Sequence, residues 1–168
     1  MTLTLTDRVA QQERSLLRGL TAGATLSAIV GTKLVAWAAL TNRPRAAAFA
    51  RQTVTWAAID VAIALATSRG IAHPPVDDAD AVARARRLRN LTATNAVLDI
   101  GYIGVGIALT RWHNPQHPTA AADGAAVIVQ GAFLLGLDTF HARRFHHLLA
   151  AQTTPPAGGA GLLASPRN

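Results

Sequence analysis

Three aspartates are the residues of this 168-residue chain whose type and spacing could do chemistry. Asp60, Asp99 and Asp138 each follow an isoleucine or a leucine, are 39 residues apart, and lie in apolar stretches. Lys33, the only lysine, lies in a fourth apolar stretch. A charge is costly to remove from water, so ionisable groups in such stretches either pair inside the protein or serve a function, such as carrying a proton or an ion.

The composition indicates the environment of these residues. Half of the chain is hydrophobic and only 15% is charged, whereas about 25% of a typical soluble domain is charged. This shortage of charge favours a membrane protein. The formal net charge is +7, but the arginines are spread over connecting segments with few aromatic residues, which argues against nucleic-acid binding. The absence of cysteine excludes disulfides, thiolate metal sites and cysteine nucleophiles.

Four apolar segments are predicted to cross the membrane as helices. A helix of about 20 apolar residues crosses a hydrocarbon core about 30 Å thick, and four segments approach this length: 19–40, 51–68, 91–110 and 124–141, the last with a cytoplasmic extension to 149. The predicted fold class is therefore all-α, a transmembrane four-helix bundle. Residues 1–18 are expected to form an amphipathic cytoplasmic leader along the membrane surface, and residues 152–168 a disordered tail.

Two other interpretations of the apolar segments remain open. Alanine contributes little to insertion, and Lys33 offsets the branched residues of the first segment, so a soluble four-helix bundle with an alanine-rich core is one alternative. The second alternative is a signal peptide that ends near residues 46–50. The polar 18-residue leader and the central lysine argue against it.

The distribution of positive charge predicts the orientation. In a four-helix topology, eleven of the fifteen arginines lie on the side of both termini and only Arg43, Arg45, Arg51 and Arg111 lie on the other side. The positive-inside rule then places both termini in the cytoplasm, N-in and C-in. Three tryptophans are expected at the outer boundary: Trp37, Trp56 and Trp112. Because the alanine-rich, arginine-for-lysine composition is typical of high-GC bacteria, we expect the bacterial cytoplasmic membrane and its lipid bilayer as the setting.

Helix rise predicts that the polar residues form two layers. At about 1.5 Å per residue, Lys33, Asp60 and Gln130 fall at one depth near the outer face, which predicts a Lys33–Asp60 ion pair beside Gln130. Asp99 and Asp138 fall near the inner face. There they are expected either to share a proton or to be neutralised by Arg143, Arg144 or His141. Two further polar residues belong to this inner layer: Asn95 and Tyr102.

The polar network supports two functional hypotheses. In the first, the protein is a structural or regulatory membrane component whose buried polar groups fix helix register or dock a partner helix. In the second, it is a proton- or ion-coupled transport or channel subunit that uses intramembrane aspartates. A polar network alone is compatible with both.

Small residues predict close helix packing. Gly19, Gly23, Ser27 and Gly31 recur every four residues in the first segment, which lets a neighbouring backbone approach. Gly101 and Gly104 are predicted to act as packing glycines in the third segment. Because Lys33 lies well away from this stripe, the first segment needs cover over a wide arc, from its three neighbours or from a homo-oligomer.

We expect no metal, no cofactor and no enzymatic activity. Five of the six histidines fall into two separated groups, His113 with His117 and a cytoplasmic cluster of His141, His146 and His147. Neither group is a strong metal-binding pattern. The cytoplasmic group is expected to reinforce the neighbouring arginines against anionic lipid. No serine-nucleophile motif or Walker loop is present in the sequence.

Three stretches carry a resemblance to a known family: Trp56-Ala-Ala-Ile-Asp60, Asn95-Ala-Val-Leu-Asp99-Ile-Gly-Tyr102 followed by Gly104, and Gln130-Gly-Ala-Phe-Leu-Leu-Gly-Leu-Asp138. The chain resembles, over residues 15–145, an uncharacterised family of small bacterial four-helix membrane proteins classed as a domain of unknown function. The resemblance implies a four-helix integral membrane fold with recurring interior polar residues, and no known activity. This chain has Trp56 where the family pattern often has asparagine, so a shared role for Asp60 does not follow from it.

Overall fold

The computed structural model describes residues 3–112 and 114–153, and all of the regular structure in them is helical. The four helices are α1 (Leu5–Leu40), α2 (Pro44–Gly70), α3 (Asp78–Arg111) and α4 (Ala120–Thr153). The predicted all-α fold with four helices is confirmed. The predicted tail falls outside the described residues except at its start, where α4 continues to Thr153.

Local sequence signals set the ends of the helices. Thr4 caps α1 in a capping box with Asp7, in which each side chain accepts a hydrogen bond from the other residue's backbone N–H. Pro44 occupies the first turn of α2, where its missing N–H costs nothing. Asn42, in the tight turn before it, has a positive φ of 50°. The Asp77 side chain caps α3 by accepting from the Asp80 backbone N–H.

The helices run up and down, with both termini at one end of the bundle. At that end, Val9 and Leu16 of α1 pack with Ala81 and Ala85 near the start of α3 and with Phe145 near the end of α4. At the opposite end, a shared cleft brings the start of α2 against the loop between α3 and α4. The main packing pairs are α3 with α4 and α1 with α2, and α4 also contacts α1 and α2. In the described chain, the backbones of α2 and α3 do not come into close contact.

The leader is not a separate helix on a membrane surface. Residues 5–18 are the first part of α1, and their apolar face packs inside the bundle. The physical reason is the seven-residue spacing of Val9 and Leu16, which puts both side chains on one face of a helix. Helices α2, α3 and α4 likewise begin before their apolar segments, because alanine and arginine next to those segments are good helix formers.

Large apolar side chains lie mainly on the outside of the bundle. Val97 is 68% exposed and Leu26 is 64% exposed, whereas most interior positions hold alanine, glycine or polar residues. Three helices, α1, α3 and α4, are long and apolar enough to cross a membrane. Helix α2 is long enough but is interrupted by Arg51, Gln52 and Asp60, so it is not among the three.

Candidate functional site: an acidic cavity between the helices

The three aspartates line one cavity. Asp60 of α2, Asp99 of α3 and Asp138 of α4 border a space of about 180 Å³, and Leu16 and Leu20 of α1 also line it. The other polar or aromatic side chains around it are Trp56, Thr67, Thr92, Asn95 and Tyr102. We call this space the acidic cavity.

The expectation of two separate layers of aspartates is therefore wrong. It placed Asp60 near the outer end of its helix, but α2 begins at Pro44, so Asp60 is 16 residues into the helix, or about 24 Å along its axis. Asp138 is 18 residues after the start of α4, about 27 Å, and Asp99 is 12 residues before the end of α3, about 18 Å. The three carboxyl groups consequently fall at a similar depth.

Asp60 is the most enclosed of the three. Its side chain is 0% exposed, and Gln130 Nε2 of α4 donates a hydrogen bond to its Oδ2 at 2.6 Å. Its second oxygen, Oδ1, has no hydrogen-bond partner in the described part of the chain. The structure thus brings Gln130 and Asp60 together, as their predicted depth suggested, and leaves one acceptor oxygen of Asp60 unused.

Asp99 and Asp138 are also buried. Asp99 is 3% exposed, and its Oδ2 has no hydrogen-bond partner among residues 3–112 and 114–153. Asp138 is 7% exposed and faces the same cavity. Buried polar atoms are normally hydrogen-bonded, so unpartnered carboxylate oxygens beside a cavity point to a group that enters it.

Trp56 and Tyr102 form an aromatic wall next to the carboxyl groups. Their ring centroids are 5.3 Å apart in an edge-to-face arrangement with an interplanar angle of 71°. The indole Nε1 of Trp56 is buried without a partner in the described residues. The prediction that Trp56 lies at the outer boundary is wrong, because the early start of α2 places it 12 residues into the helix. Trp37 and Trp112 lie near helix ends and are about half exposed.

The acidic cavity opens sideways between α2 and α3. The backbones of these two helices are separated, and the apolar lining residues on both are partly exposed: Ile59, Ile63, Leu91 and Leu98. The rim is apolar and the interior is acidic. This arrangement suits a ligand with a polar or cationic group and an apolar remainder.

Lys33 does not pair with Asp60, so that prediction is wrong. Lys33 is exposed, and no ion pair between the two residues is found in the described chain. The reason is the position of Lys33 around the axis of α1. Gly31 faces α2 and is buried against Val54, and Lys33, two residues later, lies about 200° further round the helix. Lysine in such a position can extend its amine towards the nearer end of the helix.

A family model matches most of the chain. The model of a family of unknown function, DUF6992, matches residues 19–139. The chain belongs to the DUF6992 family. This confirms the predicted membership of an uncharacterised family, and the matched region contains all three aspartates, Gln130, Trp56 and Tyr102. Comparison with curated proteins and with solved structures gives no match for either.

The basic residues at the end of the DUF6992 region do not neutralise the aspartates, contrary to one of our expectations. His141 is buried and its Nδ1 is 2.6 Å from Gln12 Nε2 of α1. The Arg144 guanidinium lies 5.1 Å from the centre of the Phe140 ring. Arg143 is exposed. All three residues follow the matched region, and none of them forms an ion pair with Asp138 in the described structure.

No metal site is formed by the side chains that the structure describes. In residues 3–112 and 114–153, no three histidine, aspartate or glutamate side chains converge to hold a metal ion. The three aspartates surround the cavity instead of meeting at one point. His113, one of the histidines considered from the sequence, lies outside the described residues.

The glycine stripe of α1 lies at close helix contacts. A Cβ at Gly19 would lie 2.7 Å from Leu137 Cδ1, and one at Gly31 would lie 2.8 Å from a Val54 methyl. A Cβ at Gly23 would collide with the Phe133 ring. Ser27 is half-buried in the same stripe. The stripe therefore packs against α4 at its start and against α2 further on.

The packing glycines of α3 are not those that we expected. A Cβ at Gly101 or Gly104 would meet nothing within 4 Å, so the prediction for these two residues is wrong. The close contact is made by Gly106 with Gly124 of α4, where a Cβ at Gly124 would be 2.5 Å from the Gly106 carbonyl oxygen. The helical phase explains the difference: Gly106 is seven residues after Asp99, on the same interior face.

One ion pair was not predicted from the sequence, and it joins Glu13, which precedes the DUF6992 match, to Arg84, which lies inside it. Glu13, the only glutamate, accepts two hydrogen bonds from Arg84, at 3.0 Å from Nε and 2.8 Å from Nη2. Arg84 also donates to the His73 carbonyl oxygen at 2.9 Å. Burial raises the pKa of Glu13 above its ordinary value of 4.5, although the Arg84 guanidinium acts in the opposite direction. The one available signal was a single glutamate on the apolar face of the leader.

Proposed function

We propose that the protein is an integral membrane protein whose acidic cavity binds an organic ammonium ion in exchange for a proton. The observation that carries this proposal is a cavity bordered by three carboxyl groups, two of which have a buried oxygen without a partner among the described residues. The cavity opens between two helices through an apolar rim.

The outer surface supports a membrane location. Large apolar side chains point outwards while carboxyl and amide groups are buried, and this arrangement suits a hydrocarbon solvent better than water. We propose that all four helices cross, since α2 packs between α1 and α4 despite its lower apolarity. The bacterial cytoplasmic membrane is the proposed location. The arginine excess at the end with both termini supports a cytoplasmic position for that end.

The chemistry of the lining supports a cation as the ligand. Three carboxylates in one small space repel each other, so their charge must be offset by bound protons or by a cation. Entry of a monovalent cation with release of one proton keeps the charge of the cavity constant. Trp56 and Tyr102 line the same cavity, and their aromatic rings offer cation–π attraction for an ammonium group.

The dimensions support a cationic head group with an apolar tail. Pockets that enclose drug-sized ligands measure about 300–1,000 Å³, and the acidic cavity, at about 180 Å³, is smaller. A substituted ammonium group would fill it, and the tail would lie between α2 and α3 against Ile63 and Leu98. A metal ion is disfavoured because the aspartates border the cavity without converging.

The test measures binding and proton release together. The purified full-length protein, with Trp37 and Trp112 replaced by phenylalanine, is placed in phosphatidylcholine nanodiscs so that Trp56 reports on the cavity. Dodecyltrimethylammonium should change the Trp56 fluorescence and release about one proton per ion into weakly buffered solution, whereas neutral dodecanol should not release protons.

Two variants locate the binding site. Asp99→Asn should weaken the binding of dodecyltrimethylammonium at least about tenfold. Asp78→Asn, which changes an exposed carboxyl group outside the cavity, should leave the binding unchanged. Equal binding by both variants would refute the proposal.

A structural or regulatory role is the second candidate. It is favoured by the hydrogen bond from Gln130 to Asp60, which ties α4 to α2 inside the bundle. In this case the polar network specifies helix pairing, and dodecyltrimethylammonium would neither alter Trp56 fluorescence nor release protons. Loss of helix association in Asp60→Leu without any ligand effect in the wild type would favour this candidate.

A further inference from the structure

A second polar cleft lies at the end of the bundle that carries both termini. It lies between the start of α1 and the end of α4, has a volume of about 310 Å³, and is lined by Arg8, Arg18, Arg144 and His147 together with neutral residues. No acidic residue belongs to the part of its lining that the structure describes. We call it the basic cleft.

The arginines of the basic cleft are not used in ion pairs. In the described part of the chain, Arg8, Arg18 and Arg144 have no carboxylate partner, since the three salt bridges involve Arg51 and Arg84. Among the described residues, Arg18 donates only to the Arg14 carbonyl oxygen, at 3.3 Å. Guanidinium groups gathered around one cleft without an acid are suited to a phosphate, which they can bind with two parallel hydrogen bonds.

An apolar groove continues from the basic cleft along α4. The groove is lined by Ala132, Leu135, Gly136, Thr139, Phe140 and Arg143, and it shares Arg144 and His147 with the cleft. Its volume is about 550 Å³. A Cβ at Gly136 would meet nothing within 4 Å, so the groove is open at that point. From Ala132 to His147 it extends about 22 Å along the helix.

We propose that the basic cleft and this groove together bind an anionic glycerophospholipid. The phosphate would lie between Arg18 and Arg144, and one acyl chain would lie along the groove over Gly136. A free phosphate shares the charge that the cleft recognises, but it would not use the apolar groove. The continuity of a cationic cleft with an apolar groove of acyl-chain length favours a lipid as the occupant.

The experiment uses the full-length protein in a zwitterionic detergent and compares dioleoyl phosphatidylglycerol, dioleoyl phosphatidylcholine and inorganic phosphate by native mass spectrometry. Phosphatidylglycerol should bind selectively, and inorganic phosphate at the same concentration should not displace it. Arg18→Gln with Arg144→Gln should weaken phosphatidylglycerol binding about 30-fold, since each basic residue near an anionic lipid contributes on the order of fivefold. The matched control, Arg69→Gln with Arg86→Gln, removes two exposed arginines from the same end outside the cleft and should change binding little.

Filling the groove provides a variant that keeps all charges. Gly136→Leu should weaken binding of dioleoyl phosphatidylglycerol but not of a dihexanoyl analogue, whose short chains do not reach residue 136. Equal weakening by the two double-arginine variants would show a general charge effect and overturn the proposed site. Displacement of the lipid by inorganic phosphate, or unchanged binding in both Gly136→Leu and the Arg18/Arg144 variant, would also overturn it. The helical circular dichroism of each variant checks that it is folded.

Discussion

Gln130 Nε2 donates a 2.6 Å hydrogen bond to Asp60 Oδ2, and this bond joins α4 to α2 beside a cavity that also contains Asp99 and Asp138. Both partners are buried. It is the single side-chain hydrogen bond made by any of the three aspartates in the described chain. In the described chain, the polar interior therefore contains one hydrogen-bonded carboxylate oxygen, Asp60 Oδ2, and two buried carboxylate oxygens without a partner, Asp60 Oδ1 and Asp99 Oδ2.

Gln130→Leu should destabilise the bundle. Without the amide donor, Oδ2 of buried Asp60 loses its partner, which costs about 1–3 kcal/mol in free energy of unfolding. Asp60→Asn should cost less, because the asparagine carbonyl oxygen can still accept from Gln130. Unfolding of the detergent-solubilised protein, followed by circular dichroism, measures both. A neutral effect of Gln130→Leu would contradict the importance of this bond.

Lys33 and Asp60 should behave as independent residues. Because Lys33 is exposed and unpaired with Asp60, the effects of Lys33→Met and Asp60→Asn on unfolding free energy should add to within about 0.5 kcal/mol. A double-mutant cycle in the same detergent measures the coupling. A coupling energy several times larger would contradict this prediction and support the Lys33–Asp60 ion pair that the sequence suggested.

Glycine substitutions should separate close contacts from open positions. Gly124→Ala places a methyl group against the backbone of α3, including the Gly106 carbonyl oxygen at 2.5 Å and Thr110 N at 2.9 Å, and should destabilise by about 1–3 kcal/mol. Gly104→Ala meets nothing within 4 Å and should stabilise by about 0.5–1 kcal/mol through helix propensity. Thermal unfolding of the two variants tests the pair, and equal destabilisation would contradict the packing of α3 on α4.

The burial of Glu13 should make stability depend on pH. Since the pKa of Glu13 is raised in the folded protein, the native state holds this proton more tightly than the unfolded chain does. The stabilisation from this group is therefore greatest below its ordinary pKa of 4.5, declines as the pH rises through the raised native pKa, and is constant above it. Glu13→Gln should remove this component from the curve of unfolding free energy against pH.

Removing the arginine gives a sharper test of the same pair. Arg84→Met leaves a buried carboxylate without a counter-ion at pH 7, which should cost about 3–5 kcal/mol. The loss should shrink in acid, where Glu13 becomes protonated. Arg86→Met, at an exposed position two residues later, is the control and should have little effect at either pH. A loss from Arg84→Met that is independent of pH would contradict the ion pair.

The sequence predicted the four helices well. It predicted less well where residues lie along each helix and which face of each helix points into the bundle. Apolar segment lengths gave the four helices. Helix rise brought Asp99 and Asp138 to one depth because α3 and α4 extend beyond their apolar segments by a similar length at the end of the bundle from which both depths were measured. Asp60 was misplaced because the apolar segment begins later than α2 itself, whose first turns hold alanine and arginine.

Contacts between distant parts of the chain were the hardest to predict. Lys33 was assigned to the interior by depth alone, although its phase relative to Gly31 directs it outwards. Glu13 and Arg84 are 71 residues apart, and their pairing depends on the leader packing inside the bundle. The periodicity of apolar residues shows which face of a single helix is apolar. Contacts between residues of two helices also depend on how the two helices are rotated relative to each other.

The central claim is that the bundle crosses a membrane with the acidic cavity inside it, and site-directed cysteine labelling tests this most directly. The chain has no cysteine, so Val76→Cys and Gln116→Cys, both at exposed loop positions, each introduce a single reporter. With a membrane-impermeant maleimide on intact spheroplasts, we expect labelling at residue 116 and none at residue 76 until the membrane is permeabilised. Labelling of both residues from the same side, or release of the protein from membranes by alkaline carbonate, would contradict the account.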